Sequence, residues 1–423
     1  MTQTSRHVIT PPVTVGVGLT AIAMVLAVFL TQQHRRDAVQ GDFSNAKPLV
    51  ALSSAPYNET EVRDRDIELY SRRTLEDPSS AIDRFTLARL LFTRSRNSGS
   101  TTDLERAEKL VRESISERTQ RNYQAFELLS SLLMAQHKFA DARAVALRAD
   151  SLDPGNPSHL ALLGEIELEL GNYDAAATHF EAVNYDGRNF TTGARVARWY
   201  EVTGRINMAR QFLKRAIVAV DRRDDLPGEQ VAWFHYRLGE LELRAGNVAA
   251  ADSAFRRGLA RHADDVRILG GLARSSLAAG AWQQAIDYGE RGTAVQLDPA
   301  TLGAVSIAYG KLGDTAQAAS YARAMSVSAL KQPGVIHRAW GMFLLDHGTA
   351  QDRADVLRRA RRELRDRKDV YGHDLLAWAL YRAGRTDEAR KEIRLALSQH
   401  TEDVMLTEHA RVIEQQTGGR STH

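Results

Sequence analysis

Covalent chemistry in this chain would have to come from imidazole, carboxylate, hydroxyl or amine groups, because its 423 residues include no cysteine. That removes disulfides, thiolate nucleophiles, thiolate zinc sites and iron–sulfur ligation together. The 13 histidines are dispersed and none stands four residues from another, so no helix offers the paired imidazoles of a zinc hydrolase. Glu408-His409 is an isolated pair in an amphipathic stretch, without a second histidine to complete H-E-x-x-H. There is no G-x-x-x-x-G-K-[ST] phosphate loop, no G-x-G-x-x-G after a strand and no G-x-S-x-G elbow. Carboxylates alternate with arginines at helical spacing, the pattern of salt-bridged, solvated helix faces. These residues predict no catalytic centre, no metal, no cofactor and no small-molecule substrate: the expectation is a protein that is not an enzyme.

Three groups of residues carry binding chemistry instead. Tyr371, Trp378 and Tyr381 stand at i, i+7 and i+10, on one stripe of a helix, and Trp233 with Tyr236 forms a similar pair. Tryptophan and tyrosine are common interface anchors, although the same stripe also describes ordinary core. The third group is the basic run Arg358, Arg359, Arg361, Arg362, Arg365, Arg367 and Lys368, which could meet an acidic partner or anionic lipid headgroups. Asp355, Glu363, Asp366 and Asp369 interrupt it, which favours a solvated face. Overall, 56 basic and 53 acidic residues leave a net charge of only +3. No nucleic-acid partner is expected from so even a balance.

The elements that must position these residues are helices in a repeated pattern. Composition is 43% hydrophobic and 26% charged with only 10 prolines, which suits a folded, helix-rich chain. A Gly-x-apolar-x-x-Ala motif recurs as Gly171 to Ala176, Gly204 to Ala209, Gly246 to Ala251, Gly280 to Ala285, Gly313 to Ala318 and Gly384 to Ala389, with threonine in place of the apolar third residue at Thr315 and Thr386. A weaker copy runs from His137 to Ala142. The spacings 204 − 171 = 33, 280 − 246 = 34 and 313 − 280 = 33 define the period. About seven residues before each turn stands a small residue: Ser130, Gly164, Ala197, Gly239, Ala273, Ser306 and Ala377. Small groups there let two helices pack closely, with Phe180, Leu213 and Phe255 expected to plug the next hairpin. Asp153-Pro154 and Asp298-Pro299 mark junctions, where proline ends one helix or opens the next.

This combination resembles the tetratricopeptide repeat family, as found in membrane-anchored bacterial proteins. The resemblance implies an all-α solenoid, a right-handed superhelix of about nine helical hairpins, whose inner groove is lined by the first helix of each repeat. It also implies that Trp233, Tyr236, Tyr371, Trp378 and Tyr381 face that groove. The chaperone-binding members carry a Lys/Asn clamp for a partner's terminal carboxylate. The corresponding positions here, Glu127 and Ser131, Ala161 and Glu165, Ala194 and Arg198, do not supply it. Three stretches depart from the pattern. A first repeat over 81–117 is expected to have helices at 85–93 and 104–115 split by a loop at 95–102. The 42-residue gap from Gly204 to Gly246 (246 − 204 = 42) holds an insertion at 222–228, read as a protruding loop, and Gly348 has its alanine displaced to Ala354.

Residues 13–30, VTVGVGLTAIAMVLAVFL, carry no charge. As a helix they would span roughly 27 Å at about 1.5 Å per residue, enough for a hydrocarbon core. No A-x-A site follows, so an uncleaved single-pass anchor is expected rather than a signal peptide. Arg6 on one side and Arg35 and Arg36 on the other nearly balance, and a periplasmic or otherwise extracytoplasmic repeat array is the orientation preferred here. The expected organisation is a tail at 1–12, the anchor at 13–30, a linker at 31–59, the array at 60–416 with a capping helix at 403–416, and a tail at 417–423. The function this predicts is a scaffold or assembly subunit binding partner proteins in or beside a multi-subunit membrane complex. The alternatives are an envelope enzyme with an unrecognised site, which needs converging titratable groups, and a nucleic-acid-linked regulator, which needs a further domain.

Overall fold

The computed structural model describes residues 58–185, 189–331 and 336–415. The chain divides into two units, Met1–Asn58 and Glu59–His423, and every helix described belongs to the second. The expected anchor at 13–30, the tails at 1–12 and 417–423 and all but the end of the linker lie outside the described residues. Among the described residues no helix is long and apolar enough to cross a membrane, and all regular structure is helical.

One helix, α1 (Glu59–Glu76), precedes nine hairpins. Their helices are α2 (Ala81–Ser98) and α3 (Thr101–Glu117), α4 (Tyr123–Ala135) and α5 (Phe139–Leu152), α6 (Pro157–Leu170) and α7 (Tyr173–Ala182). Next come α8 (Phe190–Val202) and α9 (Ile206–Asp221), α10 (Gly228–Arg244) and α11 (Val248–Arg261), α12 (Val266–Ala278) and α13 (Trp282–Thr293). The last three pairs are α14 (Pro299–Lys311) and α15 (Thr315–Ala329), α16 (Arg338–His347) and α17 (Ala350–Glu363), α18 (Val370–Arg382) and α19 (Thr386–Ala396). A final helix, α20 (Val404–Gln415), covers the last hairpin, burying Leu406, Ala410 and Ile413.

The small residues are small for a steric reason. A Cβ on Gly164 would stand 2.6 Å from the Phe180 ring, and one on Gly239 would stand 2.3 Å from Phe255. Phe255 also presses on Gly271 of the next hairpin, so it joins two repeats, as expected. Fully burying such a ring stabilises by about 1.5–3 kcal/mol. Where the small residue is serine, its hydroxyl finds a partner across the hairpin: Ser130 Oγ donates to Ala142 O at 2.9 Å, and Ser306 Oγ donates to Ala318 O at 2.8 Å. At the junctions, Asp298 caps α14 and Pro299 opens it, whereas Asp153-Pro154 follows the end of α5 and Asn156-Pro157 opens α6.

One local expectation is corrected, and Gly348, at the turn as expected, differs from the other turn glycines in its backbone. The first hairpin has no long loop at 95–102: α2 continues to Ser98, and only Gly99 and Ser100 make the turn. The left-handed Gly99 ends one helix and the Ser100 hydroxyl caps the next, with Arg94 clasping Asp103 across them at 2.7 Å. At Gly348 the backbone is ordinary, with φ −81°, because Thr349 and Asp352 form a capping box that starts α17 directly. The insertion after α9 is an exposed loop at 222–225 that returns to α10. There the Glu59 carboxylate of α1 accepts from Gly228 N at 2.5 Å and from Glu229 N at 3.3 Å, satisfying two orphan donors of the helix start.

The repeats do not simply run on in one direction; they come back to meet themselves. Lys368 N donates to Leu170 O at 3.1 Å, Val370 N to the Tyr173 hydroxyl at 2.7 Å, and Thr401 Oγ1 to Val202 O at 2.5 Å. Arg367 donates to Glu169 at 2.7 Å and lies 5.3 Å over the Phe139 ring. The residues hydrogen-bonded through these side chains are 197 to 199 apart in sequence, which equals about six of the 33-residue repeats (6 × 33 = 198). One turn of the solenoid therefore takes about six hairpins, and the hairpin turns of the first course seat on the junctions of the second. Val370 is buried in this seam among Leu168, Phe180, Trp199 and Val202.

Candidate functional site: the inner face of the repeats

The first helix of each hairpin supplies the inner face, and that face changes character along the chain. Over the first four hairpins it is hollow. A depression of about 440 Å³ is lined by Phe85, Gln124, Glu127, Ser131, Ser158 and Arg195, among others. Apolar and polar groups alternate there, so a chain lying in it finds both packing and hydrogen bonds. Glu127 receives the Nε2 side of the fully buried His159 at 3.1 Å. Burial pulls the His159 imidazole down, but its bonds to Glu127 and the Asp153 carbonyl outweigh this and raise its proton affinity. Arg195 donates to Glu165 at 2.8 Å. Of the clamp positions, Glu127 and Ser131 line the hollow, Ala161 and Ala194 are buried, and Glu165 is paired.

Beyond the hollow, the inner face is filled by arginines. Arg198 on α8, Arg237 and Arg244 on α10 and Arg274 on α12 share the carboxylates of Glu201 and Glu240. Glu201 meets Arg198 at 3.1 Å, Arg237 at 3.4 Å and Arg244 at 2.5 Å. Glu240 meets Arg244 at 3.2 Å and Arg274 at 2.7 Å. Burial alone would push the Glu201 carboxyl up, but Arg244, Arg198 and Arg237 hold it far below the ordinary range. The Tyr371 ring reaches this network from α18 on the second course, 5.5 Å from Arg198 and 5.0 Å from Arg338. Its hydroxyl is buried with no hydrogen-bond partner, which is costly for a phenol.

The five aromatic candidates divide accordingly. Tyr371 and Tyr236 both border the arginine network, and burial raises the proton affinity of each phenol. Trp233 is half-buried, edge-on to Phe234 at 4.8 Å and packed against the core of the fourth and fifth hairpins. Trp378 is 9% exposed and belongs to the core of the last repeats. Its indole N–H donates to Asp346 at 2.9 Å, and it stacks between His409 at 4.3 Å and the half-buried Tyr381 at 5.1 Å.

The basic run lies on α17 and the loop after it, well away from these aromatics in role. Arg358 and Arg359 both bond Asp355, Arg361 bonds Glu388, and Arg362 and Arg365 are exposed. Arg367 belongs to the seam. As for chemistry, no group of three His, Cys, Asp or Glu able to hold a metal is found among the described residues. The buried pair of His409 Nδ1 and Asp374 at 2.7 Å is closed by Arg338 and by Trp378, with no hydroxyl or thiol nucleophile beside it in these contacts.

The arginine network itself was not among the sequence candidates. A signal for it exists: the residue six before the turn glycine is Glu165, Arg198, Glu240 and Arg274 in four hairpins (171 − 165, 204 − 198, 246 − 240 and 280 − 274 are all 6). An alternating charge at one repeat position is a ladder along the inner face.

Comparison with known proteins bears on these hairpins. A tetratricopeptide repeat family model matches residues 85–157, 128–190 and 236–299. No curated protein sequence matches significantly. Among solved structures, the chain is similar to PilF of Pseudomonas aeruginosa at 17% identity, covering 53% of this chain and 97% of that one with a TM-score of 0.40. It is similar to YrrB, described as a repeat protein with an unusual peptide-binding site, at 17% identity over 48% of this chain and 97% of that one, TM-score 0.28. It is also similar to a human IFIT1 dimer with m7Gppp-AAAA at 13% identity over 82% of this chain and 96% of that one, TM-score 0.45. The hairpins at 85–190 and 236–299 are tetratricopeptide repeats.

Proposed function

We propose that this protein is a non-catalytic scaffold or assembly subunit that binds partner proteins through the inner face of its repeats, held at a membrane by residues 13–30. The observation that carries the reading is the hollow of about 440 Å³ on the first four hairpins, open to solvent and lined by Phe85, Leu128 and Leu162 between amide and hydroxyl groups. Such a mixture suits an extended polypeptide, whose side chains take the apolar strip while its backbone takes the polar groups. A stiff array attached to a membrane also raises the effective concentration of its groove for membrane-complex subunits. The uncharged run at 13–30 supports the anchor, and the array is assigned to the extracytoplasmic side.

The test is photo-crosslinking in native membranes with a photoreactive residue at Gln124, in the hollow, or at the exposed Lys391 of α19. Discrete adducts to other membrane-complex proteins from position 124 and none from 391 are expected. Adducts from neither position, with the protein extracted alone and monomeric, would sink the scaffold reading. Protease added to spheroplasts should digest the array; full protection would reverse the orientation.

A further inference from the structure

We propose that the arginine-rich inner face of α8, α10 and α12 receives an acidic segment of a partner polypeptide, separate from the hollow on the first four hairpins. This rests on the partner-binding reading and adds the charge class of the segment bound. Four guanidinium groups, Arg198, Arg237, Arg244 and Arg274, meet two carboxylates, Glu201 and Glu240, a local surplus of two positive charges (4 − 2 = 2). A third carboxylate, Glu169, lies 3.9 Å from Arg198 but is engaged by Arg367 at 2.7 Å. Asp298 lies near Arg274, where it caps α14.

The surplus continues toward the first hairpin. Arg267, paired with Asp265 at 2.5 Å, lies within electrostatic reach of Tyr236, Glu229 and Arg96. Arg96 is exposed, rests 5.2 Å from the Phe92 ring and makes no ion pair among the described residues. Enclosure by the surrounding protein, with the neighbouring Arg267, lowers its proton affinity, and the more distant Glu229 and Asp265 offset this only in part.

These groups are reachable. The side chains of Arg198, Arg237, Arg244 and Arg274 keep 15%, 19%, 26% and 29% of their exposure. Guanidinium groups held by internal carboxylates are pre-oriented, so an incoming carboxylate gains charge-assisted bonds without ordering long side chains. The unpartnered Tyr371 hydroxyl offers a further donor at one end. A phosphodiester strand fits less well: it bears a charge on every unit, and Glu165, Glu169, Glu201 and Glu240 stand among the arginines. A peptide can place acidic residues against the arginines and neutral ones against the glutamates.

Fluorescence anisotropy on the full chain in mild detergent tests this, with a labelled octapeptide of alternating Glu and Gly and its Gln counterpart. The Glu peptide should bind about tenfold or more tighter, and lose that advantage as salt rises. Arg96→Gln and Arg237→Gln remove the unpaired cation and the longest of the Glu201 contacts, so each should weaken binding roughly three- to tenfold with unchanged thermal unfolding. Equal binding of the two peptides would overturn the proposal, as would insensitivity to both substitutions. So would tighter binding of an eight-nucleotide oligouridylate, or full displacement by millimolar inorganic phosphate. If the proposal fails while crosslinks from position 124 persist, partner binding stands and only the acidic class is wrong.

Discussion

The turn glycines at 171 and 204 share one left-handed backbone with those at 313 and 384, at φ of 80°, 68°, 86° and 74°, yet they sit in different worlds. A Cβ on Gly171 would stand 2.2 Å from Lys368 O, and one on Gly204 would stand 2.2 Å from His400 O. At Gly313 and Gly384 the same Cβ would meet nothing within 4 Å. One motif therefore serves two purposes. In the second course glycine only permits the turn; in the first it also lets another part of the chain lie against it. The same division applies to the inner face, which is hollow before the seam and filled with ion pairs beside it.

The largest effect is expected where the glycine meets backbone. Gly171→Ala or Gly204→Ala combines a left-handed alanine with a clash that only separation of the two courses relieves. Each should cost about 4 kcal/mol or more in chemical denaturation, and split the unfolding transition if the seam opens first. Glu201→Gln comes next, at about 3–5 kcal/mol, because three arginines lose the buried carboxylate they share. Its exposed counterpart Glu408→Gln, which breaks only the surface pair with Arg411, should leave the unfolding midpoint unchanged, because solvent screens that pair.

A smaller effect is expected from pH. His137 lies in the seam with its ring 6.3 Å from that of His337. Burial, together with Arg367 and His337, pushes its pKa down to about 4. With the folded value below the unfolded one near 6.5, the unfolded chain binds the proton more readily. The stability is complete above about pH 6.5 and is lost as pH falls toward 4, by about 1–3 kcal/mol. His137→Gln should flatten stability against pH in that window; an unchanged profile would remove His137 from the seam. Gly313→Ala and Gly384→Ala should cost only about 1–2 kcal/mol, the price of the backbone alone. Similar losses at 204 and 313 would erase the contrast.

The hairpins were legible because their signals are local. A turn glycine, an alanine five residues on and a small residue seven before it all act within one repeat, and each of the six motif glycines does adopt positive φ. The seam was not legible, because the residues it joins are some 198 apart and nothing in Gly204-Arg205-Ile206 distinguishes it from Gly384-Arg385-Thr386. Trp378 and Tyr371 show the same limit. Both lie on one helix stripe, yet Asp346 and His409 enclose the first while Arg198 and Arg338 expose the second to the interior. Periodicity gives the stripe; what covers it is decided by the next element, or by the next course.

Course-to-course stacking separates the open inner face from the filled one. Residue-resolved hydrogen exchange at Lys368 and Val370 tests it most directly, since their amides donate only across the seam, to Leu170 O and the Tyr173 hydroxyl. Both should exchange slowly in the native chain, and Tyr173→Phe should release Val370 while leaving the hairpin amides of α6 and α18 protected. Fast exchange at both positions in the unaltered protein would contradict the stacking, and with it the division of the inner face.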